Sequence, residues 1–153
     1  MRYAQHTEVS ADRSRAEIEK TLQRYGASGF MYGWQESRAL IEFIYNGKRI
    51  RFLLELPDKN NDEFWLTAGG RRRKNESQAF AAWEQATRQR WRALNLAVKA
   101  KLEAVESKIT TFEAEFLAHI VMPDGKTVAE HTIPLVEKAY ISGNTPKLLL
   151  PGI

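Results

Sequence analysis

The sequence predicts an α+β fold: an N-terminal helix, a three- to four-stranded antiparallel meander, and a helical C-terminal half with one long amphipathic helix. Three observations predict it. Between Asn75 and Val121, apolar residues recur as Phe80, Trp83, Trp91, Leu94, Val98, Leu102, Val105, Ile109, Phe112, Phe116 and Ile120, with Thr87 in the one gap. Their steps are threes and fours, the α-helical period, so they share one face. Upstream, two alternating apolar runs, residues 38–45 and 48–56, flank Asn46-Gly47, a pair that tolerates the positive φ of a two-residue hairpin turn. Ahead of the hairpin the period changes: Ile18, Leu22 and Tyr25 lie on one helical face, and Phe30, Tyr32 and Trp34 then alternate as in a strand.

Ser14-Arg15-Ala16-Glu17 has the form of a capping box, with Ser10 the alternative cap one turn earlier. The helix it opens is expected to stop at Gly26, which suits the left-handed C′ position. The strand through Phe30, Tyr32 and Trp34 closes in the polar turn Gln35-Glu36-Ser37, and Tyr32 and Trp34 are expected to face the long helix. In the hairpin, Tyr45 stands opposite Lys48, Phe43 opposite Ile50, Ile41 opposite Phe52 and Ala39 opposite Leu54, which makes one apolar face. The other face sets Glu42 against Arg51 and Arg38 against Glu55. A polar connector from Pro57 leads to Phe64-Trp65-Leu66, a candidate short edge strand. Gly69-Gly70 and the run Arg71-Arg72-Arg73-Lys74 follow, and Asn75 or Ser77 caps the long helix, expected unbroken over 77–105 with Trp83 and Trp91 in the core. One rod from there to Val121 would be roughly 70 Å long at ~1.5 Å per residue, so a bend or break is expected near Glu106-Ser107 or at Ile109-Thr110-Thr111. Met122-Pro123-Asp124-Gly125 is a turn, and Thr127-Val128-Ala129-Glu130 is a second capping box. The helix it opens runs toward Tyr140 and ends at Gly143, with Pro134 kinking or restarting it. The apolar tail Lys147-Leu148-Leu149-Leu150-Pro151 is expected to dock on the core or on a partner.

A chain of 153 residues suits one α+β domain over 1–153, with helix and sheet in 1–68 and the basic loop and helices in 69–153. The 43% hydrophobic content argues against wholesale disorder. With no cysteine, disulfides, thiolate catalysis and cysteine metal sites are excluded. No apolar run approaches the ~18 residues of a membrane span. Met1-Arg2-Tyr3-Ala4-Gln5-His6 has no apolar signal core, so a cytoplasmic protein without a membrane partner is expected. Net charge is +4 and the isoelectric point is near 9.4, which favours acidic partners.

The residues that suggest a function are cationic. Arg71, Arg72, Arg73 and Lys74 crowd the entry to the long helix; on it, Arg88, Arg92 and Lys99 line one flank of the apolar stripe, and Arg90, Lys101 and Lys108 the other. Such density suits phosphate contacts, and Trp65 with Phe64 could stack on unpaired bases. The ordinary alternative is a solvated helix face with internal pairs, Glu84 with Arg88 and Lys99 with Glu103. Glu115 and His119 have half of a metal-site spacing, and no second histidine completes HExxH, so no metal or other cofactor is expected. Gly125-Lys126-Thr127 mimics the end of a P-loop, but Ile120 stands where its leading glycine should be. No nucleophile-base constellation or carboxylate dyad stands out, so a non-enzymatic protein is expected and a small hydrolase is a distant third reading.

Three passages also carry a resemblance: Ser14 to Glu19 through Tyr25-Gly26-Ala27, Trp91-Arg92-Ala93-Leu94 on to Lys99 through Glu106, and Phe112-Glu113 on to Phe116 through Gly125. Together they resemble a family of small uncharacterised proteins encoded in bacteriophage and prophage genomes, over nearly the whole chain. The resemblance implies a phage setting in a host cell and transfers no catalytic residue. The expected function is a non-enzymatic accessory protein of phage DNA replication, recombination or a related process, binding nucleic acid through the basic loop and helix face. The alternative is an adaptor or inhibitor of a host or phage protein, possible as a homodimer through the long helix and tail.

Overall fold

A computed structural model describes residues 2–35, 37–66, 69–71 and 75–147, with side chains from residue 13 onward. Its elements are α1 (Arg2–Arg24), β1 (Ser28–Gln35), β2 (Arg38–Tyr45), β3 (Lys48–Glu55), α2 (Asp62–Trp65), α3 (Glu76–Glu106), α4 (Phe112–Phe116), a 3-10 turn (Leu117–His119) and α5 (Val128–Ser142). This is the mixed α+β order that the periodicities predict, with three strands in an antiparallel meander β1-β2-β3. No helix among the described residues is long and apolar enough to cross a membrane.

The hairpin forms in the predicted register. Asn46 and Gly47 take φ of 54° and 76°, both positive as a two-residue type I′ turn requires, and they set Phe43 against Ile50, Ile41 against Phe52 and Ala39 against Leu54. Those six side chains are all buried. The charged face also pairs as expected, but it is not uniformly solvated. Arg38 and Glu55 are exposed at 2.9 Å, whereas Glu42 is 4% exposed, held between Arg51 at 2.6 Å and Arg49 at 2.9 Å. The arginine side chains lie over the carboxylate and keep water from it.

Several expected boundaries are corrected. α1 begins at Arg2, so Ser10 and Ser14 lie inside it rather than capping it. No glycine or proline interrupts residues 1–25, and a capping box within a run of helix formers has no end to cap. The far end is as predicted: Gly26 has φ 91°, its N–H bonds Gln23 O at 3.0 Å, and the Ala27 N–H bonds Leu22 O at 3.0 Å, a Schellman motif with Ala27 packed over Leu22. Phe64-Trp65-Leu66 is no edge strand. Residues Asp62–Trp65 make the one-turn α2, favoured by Asp62 and Glu63 at its positive end, and Phe64 is 4% exposed.

Asn75 caps α3 by accepting from the Gln78 N–H, and the helix is continuous over 77–105. It ends at Glu106, as the length argument requires, in a second Schellman motif: Lys108 takes φ 60°, and Lys108 and Ile109 N–H bond Val105 O at 3.1 Å and Ala104 O at 3.0 Å. The stripe therefore belongs to more than one element. Ile109, 81% exposed, is outside the core, while Phe112 and Phe116 return on α4, which Thr111 caps.

The apolar sheet face is covered jointly, not by α3 alone. Ile18 and Leu22 of α1, Trp91, Leu94, Val98 and Leu102 of α3, and Phe112 and Phe116 of α4 join one core cluster with the strands. Tyr32 meets Trp91 with ring centroids 5.9 Å apart, and Phe116 meets Phe43 and Phe52 edge-on at 6.5 and 6.4 Å. Trp34 shares that strand face but is 57% exposed. It sits on edge strand β1, at the end of the sheet, and the long helix leaves it open. α5 runs through Pro134 as one helix, with its Thr127–Glu130 capping box formed and Gly143 left-handed at its end. The tail residues 148–153 lie outside the described residues, so the docking expected of them is outside as well.

Candidate nucleic-acid interface

The two charged flanks of α3 have different jobs. On one, Arg90 Nε donates to Glu55 O at 3.1 Å and Lys101 Nζ pairs with Glu115 at 3.2 Å. Those cations tie α3 to the end of β3 and to α4. Lys108 is engaged through its backbone in ending the helix. On the other flank Arg88, Arg92 and Lys99 are exposed. Arg88 is half-exposed and paired with Glu84 at 2.7 Å, the helical i,i+4 pair expected of an ordinary surface; Arg92 and Lys99 stand beside it.

α1 adds a second cationic row. Contacts fix how α1 lies: Arg15 covers the Tyr32 ring at 4.4 Å, Tyr32 touches Trp91, and the Tyr25 hydroxyl donates to Glu103 Oε2 at 2.6 Å. As α1 advances from residue 15 to 25, the α3 residues beside it advance from 91 to 103, so the helices run parallel. At ~100° per residue, the Arg15 side of α1 faces β1 and the Tyr25 side faces α3. Arg24, Arg13 and Lys20, all exposed, lie ~100–140° further round α1 than Tyr25, on its solvent side and beyond Thr21 and the exposed Glu17. Each row spans ~16 Å along its helix, and the axes of two packed helices lie ~8–10 Å apart.

Acids also stand among these cations: Glu106 is exposed on the Arg88 flank of α3, one turn beyond Glu103. Glu17 is exposed on α1, Glu84 is held by Arg88, and Glu103 accepts from Tyr25 and from the Ser107 hydroxyl at 3.2 Å. The Tyr25 bond, helped by Ser107 and by the charge of Lys99, holds the Glu103 carboxyl below its usual range, and the same bond pushes the Tyr25 phenol up. Glu103 thus stays ionised and keeps its negative charge beside Lys99.

The other expected site residues separate. Arg71 is exposed at the approach to α3, while Arg72, Arg73 and Lys74 lie outside the described residues. Of the stacking pair, Phe64 is corrected, since it is buried where α2 packs on α3; Trp65 is half-buried, with its indole N–H donated to Lys59 O at 3.2 Å. Arg13, Lys20 and Arg24 were legible as i, i+7, i+11 on one helix face, but a helix starting at Ser14 leaves Arg13 outside it. No cluster of three or more metal-ligating side chains occurs among the described residues.

Compared with protein-family models, curated proteins and solved structures, the chain matches none.

Proposed function

We propose that this chain is a non-enzymatic accessory protein that binds nucleic acid through the phosphate backbone, with α1 and α3 as the binding face. The observation that carries the reading is the set of exposed cations on two packed helices, Arg13, Lys20 and Arg24 on the solvent side of α1 and Arg88, Arg92 and Lys99 on one flank of α3. The opposite flank of α3 shows cations tied to other elements of the fold, whereas these are exposed and leave a positive surface that suits phosphate. Phosphate contacts need charge density more than precise geometry and carry no sequence information, so the binding is sequence-tolerant. A phage or prophage protein of DNA replication or recombination, working in the host cytoplasm, suits that chemistry, and the Arg71–Lys74 run at the start of α3 would extend the contact.

The test is fluorescence anisotropy with labelled single- and double-stranded DNA across a salt series. Wild-type protein should bind with log K falling linearly in log salt, at up to ~0.9 per phosphate contacted. Arg92→Gln/Lys99→Gln and Arg13→Gln/Lys20→Gln should each flatten that slope and leave the melting temperature unchanged. Absence of binding at ~50 mM salt, where such contacts are strong, would overturn the proposal. The adaptor reading is favoured by one separate feature, the exposed apolar face of α5.

A further inference from the structure

Three of the four tryptophans serve the fold. Trp91 is 1% exposed in the core, and the indole N–H groups of Trp83 and Trp65 donate to Pro57 O at 2.6 Å and Lys59 O at 3.2 Å. Trp34 is different: 57% of it is exposed, and it makes no hydrogen bond or ring contact among the described residues. Its place explains the exposure. β1 is an edge strand, so Trp34 has a strand neighbour on one side only, and that neighbour is Ala39, whose methyl group is too small to reach over an indole. Gly33 and Gln35 point to the opposite sheet face.

The preceding ring on the same strand face already holds a planar cation. The Arg15 guanidinium covers Tyr32 at 4.4 Å from the ring centroid. Contacts also fix the level at which Trp34 lies. β1 runs from Ser28 to Tyr32 while α1 beside it runs back from Tyr25 to Arg15. Two further strand residues, ~6.6 Å, correspond to about four helix residues. Trp34 therefore stands near the level of residue 11 on α1 and, because Tyr32 meets Trp91, of residue 87 on α3. The exposed Arg13 and Arg88 are each within one helical turn of that level. β1 itself carries no charge, and Glu36, in the turn after it, lies outside the described residues.

We infer that Trp34 is a stacking platform for an unpaired base, which makes single-stranded nucleic acid the ligand of the α1/α3 face. This rests on the phosphate-binding reading above, in which the exposed arginines take the backbone; Trp34 adds the choice of strand. An indole offers its face to any base, so the preference is for unpaired bases and not for a sequence. In a duplex the bases are held inside the stack, out of reach of a surface ring.

Fluorescence anisotropy with three labelled probes of equal length tests this: oligo-dT, an abasic strand that keeps the phosphates and lacks the bases, and a duplex. Wild-type protein should bind oligo-dT roughly 5- to 150-fold more tightly than the abasic strand, the range of one stacked base. Trp34→Ala should lose that margin. Its affinity for the abasic strand and the duplex, its salt slope and its helical circular dichroism should stay as in wild type, because stacking releases no counterions. Trp34→Tyr, which keeps a ring, should recover part of the margin. Equal wild-type affinity for oligo-dT and the abasic strand overturns the inference and leaves the phosphate reading standing. So does a Trp34→Ala variant that keeps the margin, or one that weakens all three probes alike. No binding of any probe at ~50 mM salt overturns both.

Discussion

Glu42→Gln should destabilise the protein by about 2–3 kcal/mol at neutral pH. Glu42 accepts from Arg51 Nε at 2.6 Å and from Arg49 at 2.9 Å, with its own side chain 5% exposed. A hydrogen bond to a charged group contributes about 1.5–3 kcal/mol. The Arg51 side chain is 16% exposed and Arg49 is 49%, so Arg51 carries the larger share and the Arg49 contact is discounted toward the ~0–1 kcal/mol of a surface pair. Glutamine keeps the shape, but it offers one acceptor and turns an amide N–H₂ toward a guanidinium. The pH dependence follows from the same geometry. Burial alone would raise the Glu42 carboxyl, but the hydrogen bonds and charges of Arg51 and Arg49 outweigh it and hold the group below its ordinary 4.5. A carboxyl depressed in the folded state contributes its stability above the unfolded value, ~4.3, and loses it as pH falls through the lower folded value. Urea unfolding followed by circular dichroism, at pH 7 and again near pH 3, is the assay. The gap between wild type and Glu42→Gln should narrow in acid. A difference under ~1 kcal/mol at pH 7, or one that persists unchanged in acid, would refute the argument, because neither fits a buried carboxylate clamped by two arginines.

Three further outcomes can be checked. Leu102 is fully buried on α3, so Leu102→Ala should cost about 2–5 kcal/mol in urea unfolding. Lys108 sits at φ 60° at the end of α3; a non-glycine residue pays about 1–2 kcal/mol there and glycine loses part of that to chain entropy, so Lys108→Gly should stabilise by roughly 0.5–1 kcal/mol, read as a rise in melting temperature. His119 stacks on Phe52 at 4.1 Å, and burial, reinforced by the charge of Lys101, pushes its imidazole below the ordinary 6.5. The unfolded chain then binds more protons between the two values, so this group's contribution is present above the unfolded value and is lost as pH falls through that window; NMR titration should give a His119 midpoint under ~6.5.

The hairpin was legible because its determinants are adjacent in sequence. Asn46-Gly47 sets the turn, the turn sets the register, and alternation sets the buried face. The caps at Asn75 and Thr127, the stop at Gly26 and the period of α3 are likewise local, each a matter of three or four neighbouring residues. Other features depend on what lies across the fold. Whether Phe64-Trp65 extends or coils depends on α3 beneath it, and whether Trp34 is covered depends on where the helices end over the sheet. Whether Arg90 or Arg92 is free to meet a ligand depends on which flank of α3 finds Glu55. The same sequence chemistry makes Glu42 an ordinary cross-strand partner, and only the folding of Arg49 and Arg51 over it makes a buried clamp. For the candidate site, the sequence by itself determined that α3 carries cations on both flanks. Tertiary structure decided which flank is spent on packing, and left residues 13, 20 and 24 exposed on the α1 helix that packs against α3. Helical periodicity is written within a few turns, whereas the partner of a helix face is chosen by burying apolar area contributed from distant parts of the chain.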